Sequence, residues 1–325
     1  MEHTSERQQA LAAISAEDFV PLEENSLDRE AIVRPSVRYW PDVWRRLRQN
    51  RMAMFCLALI GLMILMAIFV PIVSPYSFDQ TNLSARSQRP SAKHWFGTDS
   101  VGRDMFTRVW YGSRVSLAIG FIGAILPYAI GMLVGGIAGW FGGWVDMLIM
   151  RLIDVGLCIP QMIYIILIMI YLGGGPDSLV IALAAIGWMG SARGFRGRVL
   201  QFKNREFTLA ARALGASPLR IIFRHILPNI MGNMAVGLSA AVPAAIFMEA
   251  GLSFVGLGVK SPDTSLGQLA SEGAGYFRTQ PHLLVCPSIV ISLIIFAFFM
   301  FGNCLRDALD PHLRDKEVRK GAKRA

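Results

Sequence analysis

Long stretches of this chain carry no charged residue, and nothing else in it constrains the fold as strongly. About 20 consecutive apolar residues in a helix cross the hydrocarbon core of a bilayer. Between Arg51 and Asp79 lies MAMFCLALIGLMILMAIFVPIV, and further uncharged runs lie between Arg114 and Asp146, Asp154 and Asp177, His225 and Glu249, and His282 and Arg306. A shorter run, SLVIALAAIGWMGSA, sits between Asp177 and Arg193 and reaches span length only by borrowing residues around 193–197. Open strands leave backbone groups unsatisfied in lipid, so all six runs are expected to be helices. The expected fold is an all-α polytopic membrane protein with a six-helix transmembrane domain over 52–306. A hydrophobic content of 53% and a mean hydropathy of +0.44 exclude an ordinary soluble domain.

The distribution of Lys and Arg predicts orientation. Residues up to Arg51 hold eight, residues 193–224 hold eight, and residues from Arg306 onward hold seven. The connections at 173–178 and 259–282 hold none and two. Both termini and the cytoplasmic loop 193–227 are therefore expected on one side, with 74–114 as an extracytoplasmic loop. That loop holds six basic residues against the trend, offset in part by three aspartates. The net charge of +9 reads as topology and attraction to anionic membrane lipid. Nucleic-acid binding is not expected, because no basic stripe is interleaved with aromatics.

Residues 1–33 are acidic and poor in large apolar side chains, which suggests a mobile cytosolic tail. Residues 34–51 (RPSVRYWPDVWRRLRQNR) mix arginines with Tyr39, Trp40 and Trp44, as in an amphipathic helix on a membrane surface; an aromatic anchor without a partner fits equally. Residues 307–325 form a basic cytoplasmic tail. No small-residue cleavage site follows the first apolar run, so that run reads as an uncleaved span. Cys56, Cys158, Cys286 and Cys304 have no paired spacing, and His3, His94, His225, His282 and His312 are scattered. Neither a disulfide framework nor a metal site is expected.

Gly131, Gly135, Gly139 and Gly143 recur at four-residue spacing, a smooth helix face of the kind that lets two backbones approach closely in lipid. No Gly is followed by Lys, so a Gly-Lys-Ser/Thr phosphate loop is absent, and the chain is expected to be no enzyme and to bind no cofactor of its own. Pro127, Pro160, Pro243 and Pro287 interrupt apolar runs and should kink helices. Arg151 and Asp154, three apart, can pair on one helix face. Glu249 lies about 31 Å along a helix from Pro228, near the outer interface.

The segment REFTLAARALGASPLRIIFRHILPN, 205–229, separates two apolar runs. Asn204 can cap a short helix over 205–214. Gly215 suits the left-handed position that ends helices. Ser217 and Pro218 then start a second helix as N-cap and first helical residue. Taken alone, this is either a surface knob built to dock a partner or a well-capped re-entry loop.

The pattern AAxxxG followed by IxxxxLP (Ala210, Ala211, Gly215, Ile222, Leu227, Pro228) resembles the EAA loop of ABC importer permeases. Leu209 stands where that family usually has Glu. HWFGTDSVGRDMFTRVWYGSRVSL (94–117), GGWVDMLIMRLIDVGLCIP (142–160), FMEAGLSFVGLG (247–258) and LRDALDPHLR (305–314) are similar to stretches of dipeptide- and oligopeptide-type permeases, in the same order. The likeness is to the C-type half of the two-permease core. It implies the ABC type I importer permease fold and a place in the bacterial plasma (inner) membrane. It also implies a heterodimer with a second permease, two cytoplasmic ATP-binding subunits that hold ATP and Mg, and an extracytoplasmic solute-binding protein. The EAA loop would couple to an ATPase subunit, with Glu206, Leu209, Ala210, Ala211, Gly215, Ser217 and Leu219 as coupling residues. Di- or oligopeptides are the expected cargo, nickel or a metal chelate the alternative; the residues that bind substrate are not identified. A stand-alone channel or secondary carrier would need ionisable residues at mid-membrane, and the spans hold few.

Overall fold

The computed structural model describes residues 39–259 and 263–309. The acidic segment 1–33, residues 34–38 and the basic tail from 310 lie outside the described residues, with His3 and His312. By contacts the chain divides into Met1–Asp42 and Val43–Ala325, and the architecture below is that of the second unit. Regular structure among the described residues is helical, apart from an isolated bridge between Thr98 and Asp104.

Helix α1 (Tyr39–Gln49) buries Val43 and Leu47 against Ala53, Cys304 and Leu305 while Trp44 stays exposed. The Asn50 side chain accepts from the Met52 and Ala53 amides at 3.0 and 3.3 Å and so starts α2 (Arg51–Val73). Helix α3 (Met105–Phe141) is capped by Asp104, whose Oδ2 accepts from the Thr107 amide and hydroxyl, both at 2.9 Å. The loop expected over 74–114 therefore ends ten residues early. Arg108 does not stop the helix because it is neutralised within the fold. Its side chain is 1% exposed, with Asp99 at 2.7 Å and Glu272 at 3.5 Å.

Among the described residues, five helical stretches are long and apolar enough to cross a membrane: α2, α3, α6 (Pro176–Lys203), the continuous stretch Pro218–Phe254, and α11 (His282–Leu309). The remaining expected span, between Asp154 and Asp177, is not one helix: the chain there forms α4 (Gly143–Cys158) and α5 (Gln161–Leu172), bent by 84°. Pro160 has no amide hydrogen and pushes Ile159 out of the helical region, to φ −90° and ψ 130°. Helix α6 does take in residues 193–197. Asp154 pairs with Arg193 across helices at 2.6 Å, not with Arg151 on its own helix, and Asp146 pairs with Arg196. Both pairs fasten α4 to α6 and balance the charge that made this span marginal.

The α3–α6 contact is the most extensive in the bundle. A Cβ on Gly131 would lie 2.5 Å from the Ser191 Cβ, on Gly135 2.2 Å from the Ala192 carbonyl oxygen, and on Gly139 3.0 Å from the Arg196 carbonyl oxygen. Gly143 does not belong to this seam. It follows Gly142 in the turn between α3 and α4, with φ of +57° and +68°, and nothing lies within 4 Å of it.

The stretch Pro218–Phe254 comprises α8 (Pro218–Ile221), a π-turn (Ile222–Ile226) and α9 (Leu227–Phe254). In α9, Glu249 is fully buried and accepts hydrogen bonds from Ser116 at 3.0 Å, Ser253 at 2.9 Å and Ser265 at 2.5 Å. Those hydroxyls come from α3, α9 and the start of α10 (Leu266–Gly275), which buries Leu266, Leu269 and Ala270 between α9 and α11. The carboxylate thus joins three helices.

Candidate functional site

At the end of α3 remote from Asp104, the chain builds a knob from α7 (Glu206–Ala213), a tight turn and α8. Asn204 ends α6 and does not cap α7. The N-cap position falls on Arg205, which is extended and makes no side-chain cap bond. Thr208 closes this turn instead, its hydroxyl donating to the Phe202 carbonyl at 2.9 Å. A threonine bonded back across the turn competes well with Asn204, because its hydroxyl is buried and needs that acceptor.

The turn between α7 and α8 follows the sequence expectation closely. Gly215 has φ +78°, its amide bonds to the Arg212 carbonyl at 2.9 Å, and the Ala216 amide bonds to the Ala211 carbonyl at 3.0 Å. That pair of bonds is a Schellman motif, which satisfies carbonyls at a helix end. Ser217 accepts from the Arg220 amide at 3.4 Å, with Pro218 as first helical residue.

Trp140, near the end of α3, anchors the knob. Lys203 donates to its carbonyl, and the Arg212 guanidinium lies over its ring at 5.1 Å. Ala211, Ile221 and Ile226 are buried with Trp140, Phe195 and Val199 in one apolar cluster. Ala211 therefore faces the bundle, where it holds the knob on. Glu206, Leu209, Ala210, Gly215, Ser217 and Leu219 face outward.

The outward face is more apolar than the sequence expectation had it. Leu209 is 48% exposed, Leu219 65% and Leu214 88%, with Phe207 and Phe223 exposed beside them. Leu214, Phe207 and Phe223 were missed. A Leu immediately before a helix-ending Gly, in a stretch otherwise rich in Ala and Arg, was the available signal. Arg205, Arg212, Arg220 and Arg224 are exposed in the same segment, with Glu206 as its acid. The knob thus exposes apolar and basic side chains together and packs through Ala211 and Ile221 onto Trp140 of α3 and Phe195 and Val199 of α6. Among the described residues no group of three or more His, Cys, Asp or Glu is arranged to hold a metal ion.

Residues 131–315 match the family described as binding-protein-dependent transport system inner membrane component, a range that contains the whole knob. The chain belongs to this permease family. Residues 38–90 match the N-terminal transmembrane domain of oligopeptide transport permease C. A dipeptide transport system permease protein, DppC, of Bacillus subtilis is 42% identical over 91% of this chain and 93% of its own length. The oligopeptide transport system permease protein OppC of the same organism is 44% identical over 91% of this chain and 97% of its own. A glutathione transport system permease protein, GsiD, of Escherichia coli is 39% identical over 85% and 91%. A chain from inward-facing structures of the MetNI methionine ABC transporter superposes with a TM-score of 0.47 at 17% identity, over 61% of this chain and 94% of that one. As a member of this family, the chain is a permease subunit of an ABC importer and a multi-pass protein of the bacterial inner membrane.

Proposed function

We propose that this permease forms half of the translocation pathway of an ATP-driven importer of di- and oligopeptides and that its α7–α8 knob docks a cytoplasmic ATP-binding subunit. The observation that carries the docking role is the exposed apolar tip, Leu209, Leu214 and Leu219, on a base tied to α3 by Trp140 and Ala211. An exposed cluster of this kind rimmed by polar residues marks an interaction site. With Leu209 where a Glu is usual, the contact relies on apolar fit, and the four arginines favour an acidic rim on the partner. The basic residues of 193–224 favour the cytoplasmic side for the knob and, with it, for both termini. The peptide assignment rests on relatives whose names specify dipeptides, oligopeptides and glutathione.

ATP and Mg belong to the two ATP-binding subunits, since this sequence lacks a Gly-Lys-Ser/Thr loop. A second permease completes the pathway, and an extracytoplasmic solute-binding protein delivers the peptide. Closure of the ATPase pair would shift the knob, and the helices attached to it would follow, between inward- and outward-open states. The test is uptake of labelled peptide into proteoliposomes. Uptake should require ATP and every subunit, and flux through this chain alone would overturn the proposal.

A further inference from the structure

Six Lys and Arg lie between Ser74 and Arg114, against the charge bias of the rest of the chain. The fold accounts for half of them internally. Arg103 and Arg108 lie 2.6 and 2.7 Å from Asp99, and the Arg86 Nε donates to the Ser100 carbonyl at 2.8 Å. Arg89, Lys93 and Arg114, by contrast, are exposed and have no carboxylate within ion-pair distance among the described residues.

Lys93 and Arg114 each line an apolar groove, and the two grooves flank the same helix. On one side of α2, a groove of about 510 Å³ is lined by Met66, Val70, Val73, Trp95 and Phe106 and holds Lys93 together with Asp104, whose carboxylate is taken up by His94 and Thr107. On the other, a groove of about 420 Å³ runs along Ile64, Ile68 and Ile72 of α2 and Leu117 and Phe121 of α3, and holds Arg114. Helix α2 has 23 residues, about 35 Å, close to the roughly 30 Å of a hydrocarbon core. Its last turn thus sits at the boundary between lipid and water. Lys93 shares its groove with Val73, and Arg114 shares its groove with Ile72, the α2 residues of each groove nearest that boundary. Trp95, 64% exposed, is at the same level, as interfacial tryptophans are. From Ile72 to Ile64 the second groove descends about 12 Å, room for the upper half of an acyl chain.

We propose that these grooves bind anionic phospholipid of the surrounding bilayer, with the phosphate on Lys93 or Arg114 and one acyl chain lying along α2 in each groove. A protein helix is the poorer occupant. Helices associate in lipid through small residues, whereas the outward side of α2 presents Leu65, Ile68, Phe69 and Ile72. Helix α2 is also the least buried of the five long helical stretches, with 17% of its apolar window buried. The proposal depends on α2 spanning the membrane and is independent of what docks at the knob.

The experiment is native mass spectrometry of the complete transporter. It is released from nanodiscs of equal phosphatidylglycerol and phosphatidylcholine, and the phospholipid retained per complex is counted. Phosphatidylglycerol should be retained over phosphatidylcholine, and Lys93→Gln and Arg114→Gln should each weaken retention at their own site about five-fold. Lys93→Arg should retain it. Ile68→Trp should remove only the share that depends on Arg114. The same spectra report subunit composition, so a variant that fails to assemble is recognised, and the conservative Lys93→Arg and groove-filling Ile68→Trp variants then decide. Equal retention of the two lipids would overturn the proposal, as would retention unchanged by both charge removals. So would near-complete disulfide formation between Cys at position 68 and the second permease, since the groove would then be a protein interface.

Discussion

Gly215 has φ +78° and no heavy atom within 4 Å of where a Cβ would sit, so its constraint is backbone conformation alone. The left-handed region costs an L-residue roughly 1–2 kcal/mol, and a β-branched side chain is a genuine outlier there. Gly215→Ala should therefore couple nearly normally, while Gly215→Val should leave ATP hydrolysis running without peptide uptake, as read from paired ATPase and uptake assays. Normal uptake by an assembled Gly215→Val transporter would count against the docking role. Glu249 is a second position where one residue carries much of the structure. Removing its carboxylate orphans three buried hydroxyls, each at about 1–3 kcal/mol if left unpaired. Glu249→Ala should lower the thermal unfolding temperature of the purified transporter, and Glu249→Gln, which can still accept hydrogen bonds, should lower it less. Equal melting of all three proteins would mean that Glu249 does not join α3, α9 and α10.

At the scale of elements, the α3–α6 seam separates glycines that look equivalent in sequence. Gly135→Ala would place a methyl 2.2 Å from a backbone carbonyl oxygen that cannot yield, whereas the neighbouring Gly136 has nothing within 4 Å. Gly135→Ala should reduce the yield of folded protein in the membrane sharply. Gly136→Ala should leave it unchanged or raise it slightly, since Ala favours a helix over Gly by about 1 kcal/mol. Similar yields for the two variants would contradict this packing. The elements also mark what was legible in advance. Apolar runs located α2, α9 and α11, because transfer to lipid depends on composition over a window, and the knob's Gly215, Ser217 and Pro218 signalled themselves through local backbone chemistry. The first ten residues of α3 were hidden because Arg108 reads as a loop charge until Asp99 and Glu272 are known to surround it. The partner of Asp154 was equally hidden. Arg151 is the neighbour along the chain, but Arg193 is the neighbour in space. Helix α10 escaped notice because ten residues with three apolar contacts give too little periodic signal. The 84° bend needed Pro160 to act as a breaker and not as a kink, a choice that the surrounding packing makes.

At the scale of the whole molecule, α3 is the connecting rod. Its 37 residues extend about 55 Å, from the Asp99–Arg108 cluster beside α10 to Trp140 beneath the knob. A displacement of the knob is therefore delivered to α3 and α6 together, since the glycine seam leaves little slack between them. The docking role requires that the apolar tip of the knob meet an ATP-binding subunit. Disulfide trapping in the assembled transporter tests this most directly. Leu214→Cys, paired in turn with cysteines placed across the membrane-facing surface of the ATP-binding subunit, should give a cross-link to at least one position. That link should form at a different rate when ATP is bound, and Trp44→Cys, exposed on α1 and remote from the knob in sequence, should give none. A Leu214→Cys transporter that takes up peptide normally yet forms no link to the ATP-binding subunit, in any nucleotide state, would contradict the claim.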